Sequence, residues 1–303
     1  MNQPLWGIDL GGTKIEGVIL ESITNPTPIV RTRVDTEASK GYEHIIGQIA
    51  KLVAEMESQS GLKPSAIGIG TPGVLDPTLQ VMKNCNTVVL NGKPLKKDVE
   101  KSIGLKFEFA NDANCFALAE THWGIVSQSA SGARLVFGII MGTGVGGGIV
   151  MDGKIWNGRH GIGGEWGHNF LDESGGPCYC GKTGCVETVI SGPATERYYK
   201  SLTGEHLKLK EIVARNTAGS DPAATKTIER LCHFFGKGVS VITNLLDPDV
   251  IVVGGGVGNI DDLYTAGLAE LGKFIFNNGV EVPLLKPSLG DSAGVFGAAA
   301  LVE

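Results

Sequence analysis

Residues 5–20, LWGIDLGGTKIEGVIL, contain two apolar strands joined by the short turn Gly11-Gly12-Thr13-Lys14. A Gly-Gly pair between two such strands is typical of a tight β-hairpin. The same plan of strand, glycine turn and strand recurs over residues 134–151. Apolar residues at helical spacing follow the first hairpin, over residues 41–60. Because strands and helices mix along the whole chain, the sequence predicts an α/β fold.

The composition excludes two classes of partner. Net charge is −6, and no run of Lys or Arg indicates a nucleic-acid partner. No apolar run approaches the roughly 20 residues that span a bilayer, so we expect no membrane partner. A strand follows Met1–Pro4 directly, and the six cysteines do not resemble a disulfide framework. We therefore expect a protein of the reducing cytoplasm.

Glycine is enriched to 45 of 303 residues, about twice the usual level of roughly 7%. Three glycine turns stand out, at residues 11–14, 142–148 and 254–256. The first is neither a Walker A loop nor a dinucleotide fingerprint, because it lacks the G-K-[ST] ending and opens a strand instead of a helix. Such a turn can merely close a hairpin, but its N–H groups and a Thr hydroxyl can also bind phosphate oxygens. The recurrence of these turns favours phosphate or nucleotide binding.

Asp9 ends the first strand beside the first glycine turn. A carboxylate there would repel a phosphate unless a cation lay between them, which implies Mg²⁺. The residues expected to contact the nucleotide or its metal are Asp9, Gly11, Gly12, Thr13, Lys14, Gly142, Thr143, Gly144, Gly146, Gly254, Gly255 and Gly256.

The dipeptide Asn111-Asp112 lies between a predicted strand at 105–109 and a predicted helix at 113–123. Either residue could simply cap that helix. Asp112 also follows the end of a strand, which is where open α/β sheets place their ligands. In phosphoryl transfer, a carboxylate accepts the proton of the attacking hydroxyl while Mg²⁺ and backbone amides bear the phosphate charge. Asp112 is therefore the candidate catalytic base.

A metal-binding pattern lies in residues 163–187, GGEWGHNFLDESGGPCYCGKTGCVE. Its one His and three Cys are His168, Cys178, Cys180 and Cys185. Three thiolates and an imidazole suit tetrahedral zinc, and four protein ligands leave no open position, so we expect the zinc to be structural. Free or redox-active cysteines are the alternative. The other three cysteines show no metal spacing, and we expect them to be buried.

Two glutamates, Glu165 and Glu187, flank the zinc ligands. Each could be a solvated charge on a loop. Carboxylates, however, accept pairs of hydrogen bonds from neighbouring hydroxyl groups such as those of a sugar. A metal-bound His168 could also present its second nitrogen to a substrate. The segment therefore predicts a hydroxyl-rich substrate beside a structural metal.

The chain resembles the ROK family of bacterial sugar kinases along essentially its whole length. The resemblance rests on motifs in the family's order: DLGGTK at 9–14, TPG at 71–73, NDAN at 111–114, GTGVGGG at 142–148, GEWGH at 164–168, CYCGKTGCVE at 178–187, LDPDVIVVGGG at 246–256 and DSAGVFGAA at 291–299. It implies the actin-like ATPase fold, which hexokinase and ribonuclease H share, with the active site in a cleft between two α/β domains. We expect a smaller N-terminal domain of residues 1–118 plus 291–303, and a larger C-terminal domain of residues 119–290 that includes the zinc segment.

The resemblance also implies a reaction, the ATP- and Mg²⁺-dependent transfer of the γ-phosphoryl group to the 6-hydroxyl of a hexose. By position in the motifs, Asp112 is the base, the turns at 11–14 and 142–146 hold the phosphates, and Gly254–Gly256 borders the adenosine. The residues carried over as sugar contacts are Gly73, Asn86, Asn111, Asp112, Glu165, His168 and Glu187. The same resemblance implies a homodimer.

The identity of the sugar depends on two segments, NCNTVVLNGKPL at 84–95 and GHNFL at 167–171. These are most similar to bacterial fructokinases, which favours D-fructose. Glucose, mannose and N-acetylglucosamine are the alternatives, and Val89, where an aromatic residue is common, changes one wall of the sugar pocket. A sugar-sensing ROK regulator is a remote alternative, because those repressors carry an added helix-turn-helix for which there is no room before DLGGTK. An actin-like scaffold without phosphoryl transfer ranks lower still.

Overall fold

The computed structural model describes residues 3–303. Its strands are, in chain order, β1 (Leu5–Leu10), β2 (Lys14–Leu20), β3 (Pro28–Asp35), β4 (Ala66–Thr71), β5 (Val74–Leu75), β6 (Met82–Lys83), β7 (Lys106–Asn111), β8 (Leu135–Met141), β9 (Val145–Met151), β10 (Lys154–Ile155), β11 (Val250–Gly254) and β12 (Leu284–Leu285). Its α-helices are α1 (Tyr42–Ser60), α2 (Leu95–Ile103), α3 (Asp112–His122), α4 (Ile125–Ser129), α5 (Val186–Ile190), α6 (Gly192–Thr203), α7 (Leu209–Thr217), α8 (Pro222–Leu246), α9 (Gly255–Gly258), α10 (Ala266–Leu271) and α11 (Ala293–Ala300). The predicted α/β class is confirmed.

The chain forms two compact units. Unit 1 contains the described residues up to Ser131 together with Gly148–Gly163 and Ser288–Glu303, and unit 2 contains Gly132–Gly147 and Gly164–Pro287. These units differ from the expected domains in three places, one of which is the C-terminal segment of unit 1, which begins at Ser288 and not at residue 291. The expected limit at residue 118 lies inside α3, which continues as one helix to His122. The segment Gly148–Gly163, expected in the C-terminal domain, is part of unit 1.

Unit 1 is built on a five-stranded sheet with the strand order β3-β2-β1-β4-β7. β1 and β2 form the predicted antiparallel hairpin, with Leu5 opposite Leu20 and Leu10 opposite Ile15. β1, β4 and β7 are parallel to one another. The apolar stripe of α1 belongs to the same buried core as these strands. Because the three parallel strands run in one direction, their carboxyl ends lie at one edge of the sheet.

Helix α11 packs closely against this sheet at two glycines. A Cβ at Gly7 or at Gly68 would collide with the backbone of α11. Only glycine lets the helix and the strands approach to this distance. A Cβ at Gly297 of α11 would likewise collide with the Cys115 carbonyl of α3. The small residues GVFGAAAL at 294–301 predict a C-terminal helix, and the structure has it one residue earlier, as α11. This helix fixes α3 relative to the sheet.

Unit 2 combines parallel strands with a long helix. The second five-stranded sheet has the order β10-β9-β8-β11-β12, and the chain passes from unit 2 to unit 1 within β9. β11 is parallel to β8, with Gly254 opposite Ile140. Helix α8 has 25 residues and begins at Pro222, after Asp221, whose side chain accepts hydrogen bonds from two backbone N–H groups. Within residues 3–303, no helix combines the length and the apolar character that a membrane span requires.

Candidate active site

The carboxyl ends of β1, β4 and β7 bring three predicted site segments of unit 1 to one edge of its sheet. Asp9 lies near the end of β1, Thr71 ends β4, and Asn111 ends β7 and is followed by Asp112. The strand register places Asp9 opposite Gly70, and Thr71 opposite Asn111. Ligands of open α/β sheets bind at such an edge. The structure therefore brings Asp9 and Asp112 into one neighbourhood, although 102 residues separate them in the sequence.

Asp112 is the first residue of α3, and Asn111 is its N-cap. The Ala113 N–H donates to Oδ1 of Asn111 at 2.9 Å and to Oδ1 of Asp112 at 2.8 Å. This turn fixes the direction of the Asp112 side chain, which keeps access to solvent. Enclosure by the surrounding protein raises the pKa of the Asp112 carboxyl, and the hydrogen bonds oppose that rise. A solvent-accessible carboxylate with a raised pKa is suited to accepting a proton.

Asp9 supplies a second perturbed carboxyl in the same unit. Its burial, followed by the nearby charges of Asp112 and Glu16, raises the pKa of Asp9 to about 7. A cation bound at Asp9 would relieve this repulsion. Mg²⁺ is usually held by one or two carboxylates together with phosphate oxygens. The donor chemistry at Asp9 therefore fits the Mg²⁺ that the sequence implies.

Gly73 and Asn86 lie on adjoining segments of unit 1. The Asn86 N–H donates to the Pro72 carbonyl at 3.2 Å. A Cβ at Gly73 would lie 2.5 Å from the Cys85 sulfur, so only glycine allows the two segments to pack this closely. The Asn86 side chain is exposed. Val89 is half-buried and packs against the core of unit 1.

The turn at residues 11–14 is rigid and exposed. The Gly11 N–H donates to the Lys14 carbonyl at 3.0 Å and closes the hairpin. Thr36 ties the turn to the end of β3, because its hydroxyl donates to the Gly11 carbonyl at 2.7 Å and its N–H donates to the Thr13 carbonyl at 2.9 Å. The side chains of Thr13 and Lys14 are exposed. The turn thus presents a fixed polar surface to solvent.

The second glycine turn, in unit 2, is connected to Glu187, one of the residues predicted to bind the sugar. The Gly142 N–H donates to the Gly144 carbonyl at 2.9 Å, and the Gly192 N–H donates to the Gly142 carbonyl at 2.9 Å. The Val145 N–H donates to Oε2 of Glu187 at 2.9 Å. A Cβ at Gly144 would lie 2.5 Å from that oxygen. Glycine at position 144 is therefore what allows the Glu187 carboxylate to reach the turn.

A cavity of about 890 Å³ opens beside this turn in unit 2. Gly142 and Thr143 line it, and so does Gly256. Two of the three predicted glycine segments therefore meet at one cavity. Gly255 has a φ of +81°, and a Cβ there would collide with the backbone of Met141, so β11 can turn into α9 at this point only with glycine. The volume lies within the range of small-molecule sites and is large enough for a nucleotide.

No sequence motif predicts the part of this cavity that α6 and α7 contribute. Glu196 of α6 accepts a hydrogen bond from the Leu209 N–H at 3.0 Å and pairs with Lys208 at 3.4 Å. These three residues and Lys210 line the cavity. Their spacing fits ordinary exposed helix faces, and no motif includes them. Only the packing of α6 against α7 reveals that they share a site.

The four predicted zinc ligands of unit 2 come together, and their ligand atoms lie within 4.8 Å of one another. Nδ1 of His168 is 3.6 Å from the Cys178 sulfur, and the sulfurs of Cys180 and Cys185 are 3.6 Å apart. A tetrahedral zinc with bonds of about 2.0–2.3 Å would separate its ligand atoms by roughly 3.5–3.8 Å. The donor set and its spacing therefore fit zinc, with Nδ1 of His168 as the imidazole ligand.

A tyrosine lies among the residues of unit 2 that are predicted to bind the sugar. Oη of Tyr179 is 2.9 Å from Nε2 of His168. Burial of the hydroxyl, followed by the charges of Glu187 and Glu165, raises the pKa of Tyr179. Both carboxylates are thus near the phenol. The structure brings Glu165, His168 and Glu187 into one neighbourhood and adds Tyr179, which the metal motif contains but does not single out.

Helix α8 supports this segment through polar contacts. Arg230 donates to the Val189 carbonyl at 3.2 Å and to the Ser174 hydroxyl at 2.7 Å. Lys237 donates to the Leu171 carbonyl at 3.2 Å. These contacts hold the backbone on both sides of the cysteine cluster. The segment is therefore anchored to the unit independently of a metal.

A sequence model of the ROK family matches residues 5–303. The chain belongs to the ROK family. It is 35% identical over 308 residues to an N-acetyl-D-glucosamine kinase of Histophilus somni (strain 129Pt), and the match covers 98% of each chain. Among solved structures, it is similar to a ROK hexokinase from Thermus thermophilus, with a TM-score of 0.87, 32% identity and coverage of 99% of this chain and 97% of that one. It is also similar to a ROK glucokinase from Streptomyces griseus in complex with glucose and AMPPNP, with a TM-score of 0.78, 29% identity and 98% coverage of each chain.

These comparisons confirm two predictions, the family and the fold class. This ROK chain has the actin-like ATPase fold, with α/β architecture in each of its two units. These three relatives, each matched over nearly its whole length, are named as kinases that act on sugars.

Proposed function

We propose that this ROK protein is an ATP- and Mg²⁺-dependent sugar kinase that phosphorylates the 6-hydroxyl of N-acetyl-D-glucosamine. The observation that carries the proposal is its 35% identity, over 98% of both chains, to a kinase named for that sugar. The site supports the same reaction. Unit 1 supplies a carboxylate base at a strand end, and unit 2 supplies a nucleotide-sized cavity and a polar cluster beside a metal-binding motif.

N-acetyl-D-glucosamine is one of the alternatives that the sequence leaves open. It replaces D-fructose as the favoured substrate. Two fructokinase-like segments favour D-fructose, but the relatives give fructose no support. A second relative, from Pasteurella multocida (strain Pm70), is 34% identical over 98% of both chains and is also named an N-acetyl-D-glucosamine kinase. Glucose and mannose stay as alternatives because the two structural relatives are named for hexose and glucose.

Asp112 acts as the base in this proposal. Its carboxylate accepts the proton of the 6-hydroxyl while the sugar oxygen forms a bond to the γ-phosphorus. The bond from that phosphorus to the β,γ-bridging oxygen breaks, and ADP leaves. The Asn111 cap and the Ala113 N–H hold the carboxylate in one orientation before the sugar binds. Mg²⁺, when bound, would neutralise phosphate charge, and Asp9 is the residue that would hold it.

The nucleotide would occupy the cavity of unit 2. Gly142, Thr143, Gly144 and Gly146 would contact its phosphates, and the turn of Gly254–Gly256 would border its adenosine. Glu196 and the lysines of α7 add polar groups to the same wall. From unit 1, the exposed turn Gly11–Lys14 is proposed to contact phosphate oxygens as well. Backbone N–H groups suit this role because they bind anions without a reorganisation of side chains.

The sugar contacts are proposed from both units. In unit 2, Glu165 and Glu187 would accept hydrogen bonds from hydroxyl groups, and His168 would donate from Nε2. In unit 1, Asn111 and Asn86 would contribute amide groups and Gly73 a close backbone approach. Zinc, when bound to His168 and the three cysteines, would fix the segment that carries these groups. A homodimer and a cytoplasmic location are further proposals that rest on the resemblance to the family.

The experiment that tests the function is ADP release in the presence of ATP, Mg²⁺ and one sugar at a time. The panel contains N-acetylglucosamine, N-acetylmannosamine, glucose, mannose and fructose. We expect kcat/KM to be highest for N-acetylglucosamine. A highest value for fructose would restore the sugar that the sequence favours. The absence of sugar-dependent ADP release from folded protein would contradict the kinase proposal itself.

Two variants accompany the wild type. Asp112→Asn keeps the shape of the side chain and removes the proton acceptor, so we expect kcat to fall by at least about a hundredfold, within the range of general-base effects, while the sugar still binds. Glu108→Gln makes the same carboxylate-to-amide change on the exposed face of β7 in the same unit. We expect it to leave kcat unchanged. Near-normal turnover in Asp112→Asn would remove Asp112 from the role of base.

A further inference from the structure

Tyr179 lies between two of the proposed zinc ligands, Cys178 and Cys180. Its ring is edge-on to the His168 imidazole, with centroids 5.1 Å apart and an interplanar angle of 88°. Its Oη is 2.9 Å from Nε2 of His168. The residue is nevertheless 68% exposed, so little packing holds the ring in place. A hydrogen bond made by such an exposed side chain can be exchanged for one to another partner.

The tautomer of His168 determines which group donates in this contact. Nδ1 faces the cysteine sulfurs, 3.6 Å from that of Cys178. When a metal is bound there, the hydrogen of the neutral imidazole must be on Nε2. The Nε2–H group then donates to Oη of Tyr179. This is the same N–H group that the proposed function assigns to a hydroxyl of the sugar.

The backbone around Tyr179 is fixed while its side chain is exposed. The Cys178 N–H donates to the Lys182 carbonyl at 2.8 Å, and the Gly181 N–H donates to the Cys178 carbonyl at 3.0 Å. Gly181 has a φ of +85°, which completes this tight turn. A rotation about χ1 can therefore move the phenol away from His168 without moving the neighbouring cysteines.

We propose that Tyr179 is a specificity-determining residue of the sugar site, a displaceable hydroxyl group that occupies Nε2 of His168 until the sugar takes its place. The inference rests on the proposed function, because it assigns the sugar to His168. A sugar must offer an oxygen that accepts from Nε2–H better than the phenol does. A sugar that has no hydroxyl group within reach of Nε2 of His168 leaves Tyr179 in place and binds less tightly.

The test is calorimetric binding of N-acetylglucosamine, without nucleotide, to zinc-loaded wild type and Tyr179→Phe. Removing the phenol hydroxyl removes the competing hydrogen bond, whose net value is about 0.5–1.5 kcal/mol. We expect the sugar Kd to fall by about two- to tenfold. The matched control is Tyr198→Phe, whose ring stacks on Arg230 at 4.5 Å elsewhere in unit 2. It should leave the Kd unchanged, and metal analysis should give the same zinc content for all three proteins.

The outcomes separate this inference from the proposed function. A wild type that does not bind N-acetylglucosamine contradicts the proposed function, and the inference falls with it. Wild-type binding with an unchanged Kd in Tyr179→Phe overturns the inference alone. Weaker binding in Tyr179→Phe also overturns it, because the phenol would then be a permanent ligand of the sugar and not a group that the sugar displaces.

Discussion

The Glu187 carboxylate accepts a hydrogen bond from the Val145 N–H at 2.9 Å. Glu187 lies in the first turn of α5, two residues after the proposed zinc ligand Cys185, and Val145 begins β9 directly after Gly144. A carboxylate has two oxygens, so Glu187 can hold the turn with Oε2 and accept a sugar hydroxyl with Oε1. The proposed sugar-binding and phosphate-binding parts of unit 2 are therefore joined through one side chain. Such a connection would couple the binding of the two ligands in both directions.

Gly144→Ala tests this connection. The new Cβ would lie 2.5 Å from Oε2 of Glu187 and would push the carboxylate away from the turn. A displaced carboxylate loses a hydrogen bond to the sugar, and a bond to a charged group contributes about 1.5–3 kcal/mol. We expect the Kd of N-acetylglucosamine, measured by calorimetry without nucleotide, to rise by about ten- to a hundredfold.

Gly142→Ala is the matched control for this prediction. It adds the same methyl group to the same turn, but no atom lies within 4 Å of the Cβ that it would add. Sugar binding without nucleotide should therefore be unchanged. Equal losses in the two variants would mean that the turn tolerates no side chain at all, and Glu187 would no longer explain the effect.

Much of the fold follows from local sequence patterns. The hairpin of β1 and β2, the helix that follows Asn111 and the small-residue helix α11 all lie within one or two residues of their predicted bounds. The sequence also predicts a helix at 260–274, after the third glycine turn. This segment is less regular than predicted, because a 3₁₀ turn at Asp261–Tyr264 precedes the short α10. A close contact explains part of this: a Cβ at Gly236 of α8 would collide with the backbone of Leu271, so tertiary packing determines the path of α10.

The candidate site is also predictable only where it depends on residues that are close in the sequence. The His168 and cysteine cluster is visible in the sequence because its spacing is local. The cavity wall formed by Glu196 and Lys208 is not, because it depends on how α6 packs against α7. The hydrogen bond from Val145 to Glu187 cannot be predicted for the same reason, since the partners are 42 positions apart in the sequence. Sequence motifs thus identify individual candidate binding residues, whereas tertiary packing determines which of those residues lie next to one another.

Asp249 gives a pH-dependent contribution to stability. Its Oδ2 accepts hydrogen bonds from the N–H groups of Leu135 at 2.8 Å and Arg134 at 2.9 Å, and these bonds lower the pKa of Asp249 below its ordinary 3.8. A carboxyl with a lowered pKa stabilises the folded state above its unfolded-state pKa and loses this contribution as the pH falls. Asp249→Asn should therefore have a lower urea midpoint than wild type at pH 7, and the difference should shrink below about pH 4.

The control for Asp249 is Glu281→Gln, an exposed carboxylate of the same unit. Its midpoint should follow that of the wild type across the pH range. A difference between Asp249→Asn and wild type that is constant with pH would show that the carboxylate charge has no part in the effect.

Glu120 is predicted to be a strong structural determinant of unit 1. It is fully buried, and its carboxylate accepts hydrogen bonds from the N–H groups of Ile125 at 2.9 Å, Ser288 at 3.1 Å and Leu289 at 3.0 Å. Glu120→Gln replaces one acceptor oxygen with a donor that faces these N–H groups. We expect a loss of about 1–3 kcal/mol in the free energy of unfolding, measured in urea. Glu108→Gln, on an exposed face of the same unit, should change it by less than about 0.5 kcal/mol.

Zinc is predicted to determine sugar affinity more than the folding of unit 2. The proposed site holds four ligands, so purified protein should contain close to one zinc per chain. Cys180→Ser should lower this content, whereas Cys232→Ser should not, because Cys232 lies on α8 outside the cluster. The contacts of Arg230 and Lys237 with the segment do not involve the metal. Zinc-depleted protein should therefore keep its circular dichroism spectrum.

The functional consequence of zinc removal follows from His168. Without the metal, the imidazole hydrogen can lie on either nitrogen and no metal bond fixes the plane of the ring, so the group that would donate to the sugar is no longer held in one orientation. We expect the Kd of N-acetylglucosamine to rise at least about tenfold in Cys180→Ser, as for the loss of other groups that position metal ligands. A chelator should reproduce the effect in wild type, and added zinc should reverse it. Metal-free wild type that binds sugar as tightly as the zinc-loaded protein would show that the cluster has no part in orienting His168.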